Sequence, residues 1–218
     1  MEKAAKVIVF DWDGTLFDSM DNKTRNMGLV FHHHFDFSEK EVVALYCRYS
    51  GIPRRELFAQ ILADLGGGRI LEEDVFQNLS QEFTRLNQEA NRGAKLFPDV
   101  KPCLDLLCHS GRSLYISSSS PAEELRPLTE QTEITSYFRA VFGSTPEFNK
   151  GEEHWREVCR LEKCTLNELL FVGDDEQDAV LAERNNVRHL RIVRSIVRDE
   201  NNLYKNSMIH SLLDLCDA

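Results

Sequence analysis

Two aspartates one residue apart close a short apolar run near the start of the chain, Val7-Ile8-Val9-Phe10-Asp11-Trp12-Asp13-Gly14-Thr15. A run of this length, rich in Val, Ile and Phe, is the pattern of a strand buried on both faces of a parallel sheet. Gly14 permits a sharp turn directly after it. Asp11 and Asp13 then fall at the carboxyl end of the strand, where open α/β sheets bind their ligands. Two neighbouring carboxylates facing a crevice repel each other and call for a positive partner. A hard cation that takes oxygen ligands, such as Mg2+, is the usual one. The competing explanation is an ordinary strand end whose acids are solvated.

The rest of the chain supplies a sheet for that strand. After Ser19 the periodicity becomes helical, with Met27, Val30, Phe31 and His34 on one face. Ser38-Glu39-Lys40-Glu41 reads as a capping box opening a second helix with Val42, Val43, Tyr46 and Tyr49. Pro53 suits the first turn of a third, carrying Leu57, Phe58, Ile61, Leu62 and Leu65 and stopped by Gly66-Gly67-Gly68. Val75, Leu79, Phe83 and Leu86 mark a fourth. From Phe97 onward strands and helices alternate. Strands are expected at Arg112–Ile116, Ala140–Phe142, Leu169–Val172 and His189–Val193, and helices over 99–109, from near Pro121, over about 151–161 and 177–184, and over a closing Ile209–Cys216. The pattern predicts an α/β protein whose core is a doubly wound parallel sheet, residues 1–18 and 93–218, with an α-helical bundle of residues 19–92 inserted into it.

Further motifs stand at later strand ends. Leu114-Tyr115-Ile116 leads into Ser117 and Ser118, whose hydroxyls and backbone N–H groups suit an anion, although Ser-rich strand ends are also ordinary loop starts. Lys150 opens a helix at Phe148-Asn149-Lys150-Gly151, a position that singles it out, although a lone lysine is ordinarily a solvated surface residue. Phe171-Val172-Gly173-Asp174-Asp175-Glu176-Gln177-Asp178 puts a second acid cluster on a strand end. A helix N-terminus enriched in acids accounts for Asp175 and Glu176 but not for the whole cluster.

In this order and spacing the motifs resemble those of the haloacid dehalogenase superfamily of phosphotransferases, of the subgroup with a helical cap inserted after the first motif, similar to phosphoglycolate phosphatases and beta-phosphoglucomutases. The resemblance covers nearly the whole chain. It implies that Asp11 is a nucleophile and Asp13 a general acid/base. It further implies that Lys150 and Ser117 offset charge on the phosphoryl group, with Ser117 preferred to Ser118, and that Gly14 and Ser118 help to hold the substrate. Mg2+ would be held by Asp11, the backbone carbonyl of Asp13 and Asp174, with Asp178 acting through water or on Lys150. Arg54 and Arg55, after Tyr49-Ser50-Gly51-Ile52-Pro53, resemble the cap's specificity loop; solvated arginines at a helix start explain them equally well. Trp12 replaces the family's more usual Phe, and Asp175 its Ser or Thr.

The implied reaction is Mg2+-dependent hydrolysis of a small phosphate ester through an aspartyl-phosphate. Asp13 argues against dehalogenation, since a departing halide needs no proton. A sugar-phosphate mutase is the closest rival, and a weakly catalytic binding protein on the same fold a third possibility. A phosphonatase would need a cap lysine, for which Lys23 is a candidate with nothing special to support it. A net charge of −10 disfavours nucleic acid and anionic membranes as partners. Six scattered cysteines without metal-ligand spacing read as free thiols of a reducing compartment. No apolar run is long enough for a signal peptide or a membrane span, so a cytoplasmic protein is expected; a monomer or weak dimer is expected as well. His32-His33-His34 reads as surface, and the arginines at 184, 188, 191, 194 and 198 as a solvated rim.

Overall fold

The computed structural model describes residues 5–49, 51–194 and 208–216. Ser50, in the segment expected to form a specificity loop, and Arg198 of the arginine series lie outside the described residues. Contacts divide the chain into two compact units, one running to Phe17 and resuming at Leu96, the other Asp18–Lys95.

The first unit is built on a parallel sheet of six described strands: β1 (Val7–Phe10), β2 (Ser113–Pro121), β3 (Ala140–Ser144), β4 (Leu169–Gly173), β5 (Arg188–Ile192) and β6 (Met208–Ile209), in the order β3-β2-β1-β4-β5-β6. The connecting helices are α5 (Val100–His109), α6 (Ala122–Gln131), α7 (Glu152–Glu162) and α8 (Glu176–Arg184), numbered after the four of the inserted unit. β1 is central and almost wholly dry, as its unbroken apolar run requires. Val7 and Val9 pack with Trp155, Val158 and Phe171 on one face, whereas Phe10 meets the edge of Phe138. The winding runs outward from β1 to β3, then returns to β4 and runs the other way, so the topological switch point lies between β1 and β4. Register fixes which residues emerge there. Phe10 pairs with both Ile116 and Val172, so Asp11, which follows β1, stands level with Ser117 of β2 and Gly173 of β4.

The second unit holds α1 (Met20–Phe35), α2 (Glu39–Arg48), α3 (Arg54–Leu65) and α4 (Glu73–Asn91) around Met27, Phe31, Val42, Phe58, Ile61, Leu79 and Phe83. His34 does not join that face; it is exposed and bonds Glu82.

Two local expectations are corrected. Ser38 stands at the N-cap of α2 but its side chain makes no cap bond; capping boxes form instead at Thr165–Glu168 and Ser211–Asp214. The closing helix is absent. Met208–Ile209 pairs with Arg191–Ile192, and only Leu212–Leu215 coils, as a 3-10 turn. Asp99 accepts the Leu212 N–H at 2.8 Å, so the local turn is set by a distant carboxylate rather than by helical periodicity.

Candidate active site

Asp11 follows β1 and Asp174 follows β4, so the two strands flanking the switch point each bring a carboxylate to it. Asp178, in the first turn of α8, adds a third, and oxygens of all three lie within 4.8 Å of one another. Lys150, before α7, is buried with them: its Nζ stands 3.0 Å from Asp11 Oδ1 and 2.6 Å from Asp178 Oδ1. Two glycines make room. Gly14 has a φ of +75°, and a Cβ there would overlap the Asp174 carboxylate; one at Gly173 would overlap that of Asp178.

One lysine cannot balance three buried carboxylates. Burial pushes Asp11 up to about 7 against the opposing pull of Lys150, with Asp178 and Asp13 adding to the rise. Asp174 and Asp178 are raised for the same first reason, burial, and Asp11 and Asp178 both lift Asp174 further. Burial works against the Lys150 charge, but Asp11 and Asp178 outweigh it and hold the ammonium above its usual range. Asp178 Oδ2 is buried without a hydrogen-bond partner. An excess of negative charge, oxygen-only donors and an orphaned buried oxygen are together what a hard divalent cation satisfies, so these residues fit Mg2+.

Asp13 is held in a different environment. Its Oδ2 accepts a hydrogen bond from Ser120 Oγ at 2.8 Å, and its carboxylate is not part of the acid cluster. Ser117 is not brought to the site. Strand β2 continues through Pro121, and Ser117 is fully buried, with its hydroxyl 2.9 Å from Nδ1 of His154. Alternation puts Ser118 and Ser120 on the other side of the strand from Ser117. Ser118 Oγ accepts from the Ser120 N–H, which leaves Ser120 as the hydroxyl that reaches Asp13. His154 packs against Phe142 and Phe148, and burial holds it down at about 4, hence neutral.

Thr15 Oγ1 approaches Asp174 Oδ1 at 3.4 Å. Asp175 caps α8, accepting from the Gln177 N–H at 2.8 Å. Two members of the supposed arginine rim are mostly buried side chains with fixed partners. Arg191 Nε donates to the Asp174 carbonyl at 2.9 Å, and Arg194 grips both oxygens of Asp99 at 2.8 and 2.9 Å and donates to the Thr15 carbonyl. Ser120, His154, Arg191 and Arg194 carry no motif and were not legible as site residues. Within the helical unit, Arg54 donates to Ser80 and Thr84, and Arg55 pairs with Glu73 at 2.7 Å over the Phe76 ring. His33 and His34 each bond one oxygen of Glu82 at 2.8 Å. No described helix is long and apolar enough to cross a membrane.

Residues 8–192 match the family model described as haloacid dehalogenase-like hydrolase. A phosphoglycolate phosphatase of Aliivibrio fischeri is 28% identical over 82% of this chain and 79% of its own length. A 5'-nucleotidase of Pseudomonas aeruginosa is 25% identical over 83% of this chain and 79% of its own. Among solved structures, a haloacid dehalogenase-like family hydrolase of Streptococcus pneumoniae superposes with a TM-score of 0.73 at 20% identity, covering 98% of each chain.

Proposed function

This chain belongs to the haloacid dehalogenase-like hydrolase family, and we propose that it is a Mg2+-dependent phosphatase that hydrolyses a small phosphate monoester through a phosphorylated Asp11. The observation that carries this reading is the separation of two nearly adjacent aspartates into unlike surroundings. Asp11 sits against Lys150 among the clustered acids, while the Asp13 carboxylate is turned to Ser120. Two carboxyl groups with different environments take different roles.

Asp11 attacks phosphorus, forming a P–O bond as the bond to the leaving oxygen breaks, and Asp13 gives that oxygen its proton. Water then attacks the same phosphorus, Asp13 takes the water's proton, and the bond to Asp11 breaks to release orthophosphate. Lys150 offsets negative charge on Asp11 and the phosphoryl oxygens throughout, and Asp178 holds its ammonium in place. Mg2+, held by Asp11, Asp174 and the Asp13 carbonyl, would neutralise the phosphoryl oxygens. Ser118 replaces Ser117 as the residue of β2 assigned to the phosphoryl group. The net charge of −10 favours a small-molecule substrate, and six scattered cysteines without metal-ligand spacing favour a reducing, cytoplasmic setting.

The test is a panel of phosphate monoesters, phosphoglycolate and nucleoside 5'-monophosphates first, assayed for orthophosphate with Mg2+ and with EDTA. Orthophosphate equal to the ester consumed, and no turnover in EDTA, are expected. Full activity in chelator would remove the metal from the account, and an isomeric phosphate ester formed without orthophosphate would make the enzyme a mutase.

A further inference from the structure

Arg191 and Arg194 lie three positions apart, at the end of β5 and just beyond it, yet they bind loops on opposite flanks of the switch point. Arg191 Nε donates to the carbonyl of Asp174, the residue that follows β4. Arg194 donates to the carbonyl of Thr15, in the loop that follows β1. We propose that these two arginines are positioning residues that staple the β1 and β4 loops to β5, fixing the separation of Asp11 and Asp174 and thereby the affinity for the divalent cation. The inference rests on the metal reading given above and extends it to residues outside the acid cluster.

Several features distinguish the pair from surface charge. The Arg194 side chain is 16% exposed and that of Arg191 18%. The Arg194 guanidinium lies 4.0 Å from the centre of the Phe97 ring, which fixes its plane. Nη1 of Arg194 donates to both oxygens of Asp99 while Nη2 reaches the Thr15 carbonyl, a span between two groups that the planar guanidinium provides and a single ammonium does not. Asp99 is itself anchored by the Ser211 hydroxyl and the Leu212 N–H. Burial alone would raise Asp99, but Arg194, Leu212 and Ser211 outweigh it and hold the carboxyl below its usual range. Arg191 is braced in turn by Glu176 at 3.1 Å. Both target groups are backbone carbonyls, so each arginine fixes the main chain of its loop. The Thr15 side chain then reaches Asp174 from across the switch point. A displacement of either loop would spread the acid oxygens that now lie within 4.8 Å.

Mg2+ affinity of the full-length protein, measured by titration calorimetry without substrate, tests this apart from activity. Arg194→Met keeps an unbranched apolar side chain against Phe97 but removes the fork; Arg194→Lys keeps the charge; Arg191→Met releases the other loop. Arg160→Met, which breaks only an exposed pair with Glu157, serves as the control. The two methionine variants should bind Mg2+ at least tenfold more weakly and the control within twofold of wild type, all compared at a temperature where circular dichroism shows them folded. Arg194→Lys, the variant to rely on if Arg194→Met does not fold, should regain thermal stability but remain at least fivefold weaker, because one ammonium cannot span Asp99 and Thr15. Lower melting temperatures with unchanged Mg2+ affinity would overturn the staple, as would full affinity in the lysine variant. Wild-type protein that binds no Mg2+ would overturn the metal reading, and the staple with it.

Discussion

The ammonium of Lys150 stands 3.0 Å from the carboxylate of Asp11, and both side chains are nearly excluded from solvent, at 4% and 8% exposure. A buried ion pair broken from one side leaves an uncompensated charge, which costs about 3–5 kcal/mol unless protonation relieves it. Here the raised affinity of Asp11 for protons offers that relief, at the expense of the nucleophile. Lys150→Met should therefore remain folded with a lower melting temperature, and should lose at least about a hundredfold in phosphate release. Thermal melts and steady-state assays on one preparation check both parts; near-wild-type turnover would remove Lys150 from the chemistry.

Ser120 should modulate Asp13 without replacing it. Its hydroxyl orients one carboxylate oxygen of Asp13, so Ser120→Ala should slow turnover by about tenfold, the scale of one neutral hydrogen bond. Asp13→Asn should cost about 10²–10⁴, the range of a general acid/base. With p-nitrophenyl phosphate, whose leaving group needs little protonation, the contrast should shrink in the first release of nitrophenol but persist in steady turnover, which the second step limits. A Ser120→Ala effect as large as that of Asp13→Asn would make Ser120 a direct participant.

Acid should destabilise the fold through its buried neutral histidines. Burial lowers His154 from 6.5 to about 4, and His189 likewise, first by burial. Between those values the unfolded chain binds the protons that the folded state refuses, so stability is complete above about pH 6.5 and falls as pH drops toward 4. The shift corresponds to a loss on the order of 3 kcal/mol for His154. Asp99, held below the usual carboxylate range, adds a further loss at lower pH still. Melts across pH 4–7 should show this slope, and His154→Gln should flatten part of it while leaving the His189 share. An unchanged slope would mean that His154 titrates normally.

The positions that sequence reading and structure share are those whose chemistry is tied to strand ends. The two acid-rich strand ends and Lys150, though far apart in the chain, meet because β1 and β4 are neighbours in the sheet. The misplacement of Ser117 has a plain cause. Four consecutive serines carry no hydropathy signal, so the apolar pattern ends at Ile116 although the strand runs on to Pro121. Arg191 and Arg194 escaped because their carbonyl partners have no side-chain signature, and Thr15 is 179 residues from Arg194. Apolar spacing alone predicts a helix for the closing segment, but over so few residues it does not separate an α-helix from a strand and a 3-10 turn. Arg54, given to the substrate or to solvent in sequence, is bound to Ser80 and Thr84 within its own helical unit. Its replacement by Ala should lower the stability of that unit.

The central claim is that Asp11 carries the phosphoryl group, and it is tested most directly in the Asp13→Asn variant. That variant lacks the base for the second step but retains the nucleophile, so with p-nitrophenyl phosphate and Mg2+ it should release about one equivalent of nitrophenol per enzyme and then slow sharply. Mass spectrometry of the acid-quenched protein should place the phosphoryl group on Asp11. Steady turnover without a burst and with no phosphorylated protein, or a phosphoryl group found on another residue, would contradict the account.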